Sequence, residues 1–365
     1  MSTLKVPAKF GWAGSDSAKK AWDAIGESFP HFFISGQTQA TQNIKIHLWD
    51  AAKKVNGGQH LPTFYQEIGD CVSMGASNGV NYLSCVQIAQ GAAQKYRPCF
   101  QPYVYGISRV QIGGGTLWGD GSHGVWAADG LRKYGVLWAD EVGVPAYSGQ
   151  VAKRWGARPG PPQNFIDSAS KFKLGNAARV TNYTQVRDAL ANWYPVTVAS
   201  DRGFRMQLRT DKGKSWGVPS GTWGHQMVFI GVDDDPARPG CYCLNSWGAD
   251  AFGTPADDAP PGGFWVDAEV VDYMTGMGDS FAFSQFEGFP EQKLDFMLIG
   301  SETATGEDPG IGDPSSMLIG PQSLKPYNAP FYRGPKPRTT VVNVPFDTKA
   351  ANAVPQKAKK SKAKK

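Results

Sequence analysis

Cys71 is the residue in this chain best placed for covalent chemistry. It closes the polar stretch Gln66-Glu67-Ile68-Gly69-Asp70 and opens a run in which Val72, Ala76, Val80, Leu83 and Val86 recur every three or four residues, the period of a helix. A thiol at a helix N-terminus meets unpaired backbone N–H groups and the positive end of the helix dipole, and both favour the thiolate. A sulfur nucleophile must be in that form at neutral pH. The same position suits a buried, inert cysteine that happens to begin a helix, and Cys71 alone does not separate the two readings.

Two distant segments bear on the choice. One is Gly221-Thr222-Trp223-Gly224-His225-Gln226-Met227-Val228-Phe229-Ile230-Gly231-Val232, a β-rich run with a histidine near its start. The other is Cys241-Tyr242-Cys243-Leu244-Asn245-Ser246-Trp247-Gly248, a short apolar strand ending in Asn-Ser-Trp-Gly. Cysteine at a helix start, then Gly-His before a strand, then Asn-Ser-Trp-Gly, in that order, resembles the papain-like cysteine peptidases over roughly residues 61–283. Family members without signals or prosegments are similar to those of bacteria and their phages.

The resemblance implies a division of labour. Cys71 would attack a carbonyl carbon, His225 would be its ion-pair partner and later give a proton to the leaving amine, and Asn245 would hold the imidazole. Trp247 would shield the Asn245–His225 hydrogen bond. The Cys71 backbone N–H and Gln66 would form the oxyanion hole. Counting back from Tyr134-Gly135, Gly121 and Ser122 match the glycine pair that lines the family's substrate cleft, with serine in the second place. Three positions depart from the family pattern. Gln66 lies five residues before the cysteine rather than six, Asp70 stands where a small neutral residue is usual, and Gln226 replaces a small residue after the histidine. An Asp70 carboxylate aimed at the site would raise the thiol pKa by like-charge repulsion.

These groups need elements to carry them. The resemblance implies an α+β, two-lobed, papain-like fold, in which a helical lobe with a central Cys-bearing helix packs on a β-barrel-like lobe. An extended C-terminal arm follows. The expected organisation is an N-terminal extension over 1–60, a helical lobe with the nucleophile over 61–165, a β-rich lobe with His225 and Asn245 over 166–284, and a Pro/Gly-rich arm with a Lys-rich tail over 285–365. Helices are expected at Ser15 to Ile25, Cys71 to about Gln94, Tyr103 to Val110, Val125 to Tyr134 with Gly135 as stop, and Thr184 to Trp193 with Thr184 as cap. Strands are expected at Lys171 to Leu174 and Pro195 to Ala199, and at Gly263 to Val266. Phe10-Gly11-Trp12 reads as an aromatic anchor for an extension packed on the body; the charged and aromatic spacing of the family's inhibitory prosegment is not recognisable before Cys71.

Composition narrows the classes. The formal net charge of +5 falls to one unit negative once Lys357, Lys359, Lys360, Lys362, Lys364 and Lys365 are set aside. A near-neutral body argues against a nucleic-acid-binding fold, leaving only non-specific contact through the lysine tail. Five cysteines without a secretion signal argue against a disulfide framework. Cys241 and Cys243 share a strand face and read as small buried side chains, Cys85 as a core thiol and Cys99 as a loop thiol. His31, His47 and His60 lack ligand spacing, so neither a metal nor another cofactor is expected. The N-terminus carries no secretion-signal core and no apolar run is long enough to span a bilayer, so a cytoplasmic or virion-associated protein without membrane contact is expected.

The leading expectation is a cysteine peptidase acting on peptide or protein substrates through a thioester. The alternative is a structural or assembly protein, such as a phage virion component, that keeps the fold and binds protein neighbours through residues 285–365. A cell-wall hydrolase of a related Cys-His fold is a third reading, and Asn-Ser-Trp-Gly favours the papain branch over it.

Overall fold

The structure, a computed structural model, describes residues 10–30, 32, 34–35, 44–285, 289–290 and 292. An extended segment leads into α1 (Ser15–Ile25), then β1 (Ile34–Ser35), β2 (Lys45–His47) and α2 (Leu48–Val55). The helical part follows with α3 (Cys71–Ala89), α4 (Gln101–Gly106), α5 (Gly124–Tyr134), α6 (Gly149–Trp155) and α7 (Gln163–Ala169). The remainder runs β3 (Asn176–Arg179), α8 (Tyr183–Ala191), β4 (Val196–Phe204), β5 (Arg209–Asp211), β6 (Lys214–Trp216), β7 (Pro219–Asp233) and β8 (Gly240–Leu244). It ends with β9 (Gly263–Asp267), α9 (Ala268–Gly276), β10 (Phe281–Ser284) and β11 (Phe289–Pro290).

The fold is α+β, as expected. Nine strands form one sheet in the order β3-β10-β4-β7-β8-β9-β6-β5, with β2 alongside β7. Neighbours are antiparallel except β6 and β9. A parallel pair, β1 and β11, stands apart.

The Cys-bearing helix is central for a reason visible in its composition. Small and apolar residues surround it on every side, and each residue from Cys71 to Val86 is buried, the signature of a helix with no solvent face. It lies flat on β7: a Cβ added at Gly75 would sit 3.0 Å from the Met227 carbonyl, so only glycine lets backbone approach backbone so closely. The large core spans helix and sheet, and aromatic pairs such as Trp49 with Tyr242, 5.1 Å apart and edge-on, fill it. A second core joins α4, α6 and α7 through Phe100, Tyr103, Trp155 and Phe165.

Several boundaries differ from expectation. The Cys71 helix stops at Ala89 rather than near Gln94, and α4 ends at Gly106 before a wider helical turn over Ile107–Ile112. Asn182, not Thr184, caps α8, because its extended backbone lets the side chain accept from the Gln185 amide at 2.9 Å. Lys171 to Leu174 forms no strand. Its backbone bonds are taken by the helical part, with Val136 N–H donating to Phe172 and Leu174 N–H to Leu131. All five cysteines are buried and free, Cys99 among them.

The expectations for the arm over 285–365 and for His31 fall almost entirely outside the described residues. Among the described residues, no helix is long and apolar enough to cross a membrane, and no cluster of His, Cys, Asp or Glu is placed to hold a metal.

Candidate active site

Sheet register brings the distant motifs together. His225 lies on β7 opposite Ser200 of β4, just where that strand passes from exposed to buried. Strand β8 runs antiparallel to β7 with Leu244 opposite Val228, so the residue after Leu244 falls beside the start of the buried half of β7. The result is a hydrogen bond of 2.8 Å between His225 Nε2 and Asn245 Oδ1. Asn245 Oδ1 also accepts the Ser246 backbone N–H at 2.6 Å. An atom that accepts from a backbone amide must be the oxygen, so His225 Nε2 carries the proton and donates. Nδ1 keeps its lone pair, and it is buried without a hydrogen-bond partner.

Cys71 is reached from the same strand. The backbone N–H of Gln226, the residue after His225, donates to Cys71 Sγ at 3.4 Å, while the Gln226 side-chain amide donates to the Val72 carbonyl at 3.0 Å. Helix α3 and strand β7 are thereby fastened together at the sulfur. Sequence reasoning noted Gln226 only as a departure from pattern; here it is a tie.

Burial dominates the electrostatics. Cys71, His225 and Asn245 are all almost completely buried. Desolvation pushes the Cys71 thiol up to about 12, outweighing the backbone N–H groups of Gln226, Gly11 and Val72 that favour the thiolate. Desolvation also lowers His225 to about 4, against the Asn245 hydrogen bond. The expected activation by the helix N-terminus is therefore overridden in this state: both groups are neutral at neutral pH.

Asp70 is equally buried and receives the Tyr147 hydroxyl at 3.0 Å. Burial raises its carboxyl to about 8, with Asp120 and Glu67 adding to the rise and the Tyr147 hydrogen bond opposing it. Its charge does raise the Cys71 pKa, but at neutral pH that charge is mostly absent.

Gln66 sits against the Asn-Ser-Trp-Gly turn. Its backbone N–H donates to the Ser246 carbonyl at 2.8 Å, its side-chain oxygen accepts from Ser246 Oγ at 2.7 Å, and its amide donates to the Ile68 carbonyl at 2.9 Å. Trp247 covers His225, with ring centroids 4.9 Å apart, and packs on Trp223 at 4.7 Å.

Gly121 and Ser122 meet the start of the chain. Ser122 N–H donates to the Gly11 carbonyl at 2.8 Å, and Ala13 N–H donates to the Ser122 carbonyl at 3.1 Å. From the opposite wall, the Gly224 carbonyl accepts Trp12 N–H at 2.9 Å. Gly121, at φ 116, passes so near that an added Cβ would touch the Gly11 carbonyl. Between these walls the Trp12 indole donates to Asp279 Oδ2 at 2.8 Å. Asp279 carried no sequence signal, since an isolated aspartate after a helix is ordinary.

Among solved structures, the chain is similar to xylellain, a cysteine protease from Xylella fastidiosa, at 15% identity over 78% of this chain and 94% of that one, with a TM-score of 0.48. It is similar to digestive procathepsin L 3 of the Tenebrio molitor larval midgut at 15% identity over 69% and 73% of the two chains, TM-score 0.45. It is also similar to the ragweed pollen allergen Amb a 11, a cysteine protease in its proform, at 14% identity over 75% and 76%, TM-score 0.48. No protein-family profile and no curated protein sequence matches the chain.

Proposed function

We propose that the chain is a cysteine-type peptidase of papain-like mechanism, with Cys71, His225 and Asn245 as its reacting set. The observation that carries this reading is the His225–Asn245 hydrogen bond. It fixes the imidazole tautomer and leaves Nδ1 as a base one residue along the strand from the amide that contacts the sulfur.

Once peptide and water enter, Nδ1 takes the thiol proton and Cys71 Sγ bonds to the scissile carbonyl carbon. The carbonyl oxygen becomes an oxyanion facing the Cys71 backbone N–H and Gln66. Collapse breaks the C–N bond, and the His225 imidazolium returns its proton to the departing amine. Water then adds to the thioester with His225 as base, releasing the acid and restoring the thiol. Trp247 keeps solvent from the His225–Asn245 bond, which strengthens it. The walls that would align an extended substrate are the Ser122 amide and carbonyl and the Gly224 carbonyl, which already hold peptide backbone.

The test is covalent labelling by an epoxide-type cysteine peptidase inhibitor together with hydrolysis of casein, compared with Cys71→Ala. One adduct on Cys71 and hydrolysis lost in the variant are expected. Hydrolysis that persists in Cys71→Ala overturns the reading.

A further inference from the structure

The wall that carries Gly121 and Ser122 has little of its own to hold it. Residues 113–121 form neither helix nor strand, and glycine stands at 113, 114, 115, 119 and 121. Gly114, Gly115, Gly119 and Gly121 all take positive φ, so this backbone is free to turn over in ways other residues resist. What holds it lies behind it, on the wider helical turn Ile107–Ile112.

Arg109, buried on that turn, spreads its guanidinium across the loop. Nη2 donates to the Leu117 carbonyl at 3.1 Å and to the Gly119 carbonyl at 2.8 Å, and Nη1 donates to the Gly121 carbonyl. Nε anchors the fork on the Gly156 carbonyl at 2.9 Å. Tyr105, one turn back, lies 5.0 Å from the guanidinium, and its hydroxyl accepts the Gly121 N–H at 2.9 Å. Ser108 Oγ, 2.9 Å from Ser122 Oγ, ties that side chain back, so the wall offers backbone rather than a hydroxyl.

The Gly121 carbonyl and the Ser122 N–H belong to one planar peptide group. Its oxygen faces Arg109, and its hydrogen faces the groove, where it donates to the Gly11 carbonyl at 2.8 Å. Turning this plane over at Gly121 would put an acceptor where the donor stands, and Arg109 opposes that turn. A cation on the oxygen also draws density through the amide and sharpens the N–H as a donor.

Resting on the peptidase reading above, we propose that Arg109 is a positioning residue for substrate. It fixes the Gly121–Ser122 peptide group with its N–H toward the groove and strengthens that N–H as the donor to a substrate backbone carbonyl. The contact is with backbone, and so is indifferent to the side chain a peptide carries there.

The experiment compares the full-length parent, Arg109→Ala and Arg109→Lys in two measurements. In peptide hydrolysis, Arg109→Ala is expected to raise KM about tenfold while kcat stays within about threefold, the mark of lost uniform binding. Added methylguanidinium should recover part of the loss, and Arg109→Lys, which keeps a charge without the fork, should fall between. Amide hydrogen exchange at Gly121 and Ser122, read by mass spectrometry, should speed about tenfold in Arg109→Ala with α3 at its parental rate. Exchange unchanged at both amides in both variants, a rise shared equally by α3, or a fall in kcat with KM unmoved overturns the proposal. Should Arg109→Ala not fold, Arg109→Lys carries both measurements. A parent that hydrolyses no peptide refutes the peptidase reading, and the exchange rates then still decide whether Arg109 holds the wall.

Discussion

Replacing Asp70 by Asn tests whether a neutral carboxyl really sits beside the sulfur. In the folded chain burial holds this carboxyl at about 8, against an ordinary value of 3.8. Between those values the folded state keeps a proton that the unfolded chain releases. The contribution is therefore complete below about pH 4 and is lost as pH rises through 8, at about 1.4 kcal/mol per unit. Over the whole window this amounts to about 6 kcal/mol, comparable with the total stability of many domains. Asn is close in shape and its oxygen can still accept the Tyr147 hydroxyl that now reaches Asp70 Oδ2. Urea unfolding of both proteins at pH 5, 6, 7 and 8 isolates the effect, because other titrating groups cancel in the difference. The stability of Asp70→Asn relative to the parent should climb by about 1.4 kcal/mol per pH unit. Curves that stay parallel from pH 5 to 8 would show that Asp70 is ionised when folded, and its repulsion of the Cys71 thiolate would then be real at neutral pH.

His225 gives the opposite sign. Its folded pKa is lowered to about 4, so its contribution is present above 6.5 and lost as pH falls toward 4; His225→Gln should flatten that acid limb in the same urea series. Asn245→Ala strands the buried His225 Nε2–H, which should lower stability by about 1–3 kcal/mol in thermal melts. Under the proposed function, the same change should cut casein hydrolysis at least tenfold. Arg238 grips Asp267 through Nε at 2.7 Å and Nη2 at 3.1 Å, reaches Asp211 at 2.6 Å and lies 3.8 Å over the Trp216 ring. Its replacement by Ala should cost about 1–2 kcal/mol, and Lys, which lacks the planar fork, should restore less than half as read by Tm.

What the sequence showed and what it hid divide along contact range. The start of α3 at Cys71, the stop at Gly135 and helix α1 rest on local period and punctuation, and they stand where the residues put them. Asn182 was missed as a cap because Thr184, two residues on, is also a cap-forming type. Lys171 to Leu174 alternates like a strand, yet its amides and carbonyls are claimed by a helix-end loop distant in sequence. In the candidate site His225 and Asn245, both named by motif, are hydrogen-bonded, whereas Asp279 and the seat of Trp12 depend on residues 267 positions apart. The helix-terminus argument for a thiolate was sound locally and lost to burial, a quantity no local window contains.

Three successive residues of β7 carry three separate duties. The Gly224 carbonyl grips Trp12, the His225 ring meets Asn245, and the Gln226 amide touches Cys71. Since side chains on an extended strand alternate between faces, sliding this strand by one step would undo all three contacts at once. One strand register thus sets all three contacts, and a change that spares it must be made on the partners' side, at Trp12, Asn245 or Cys71.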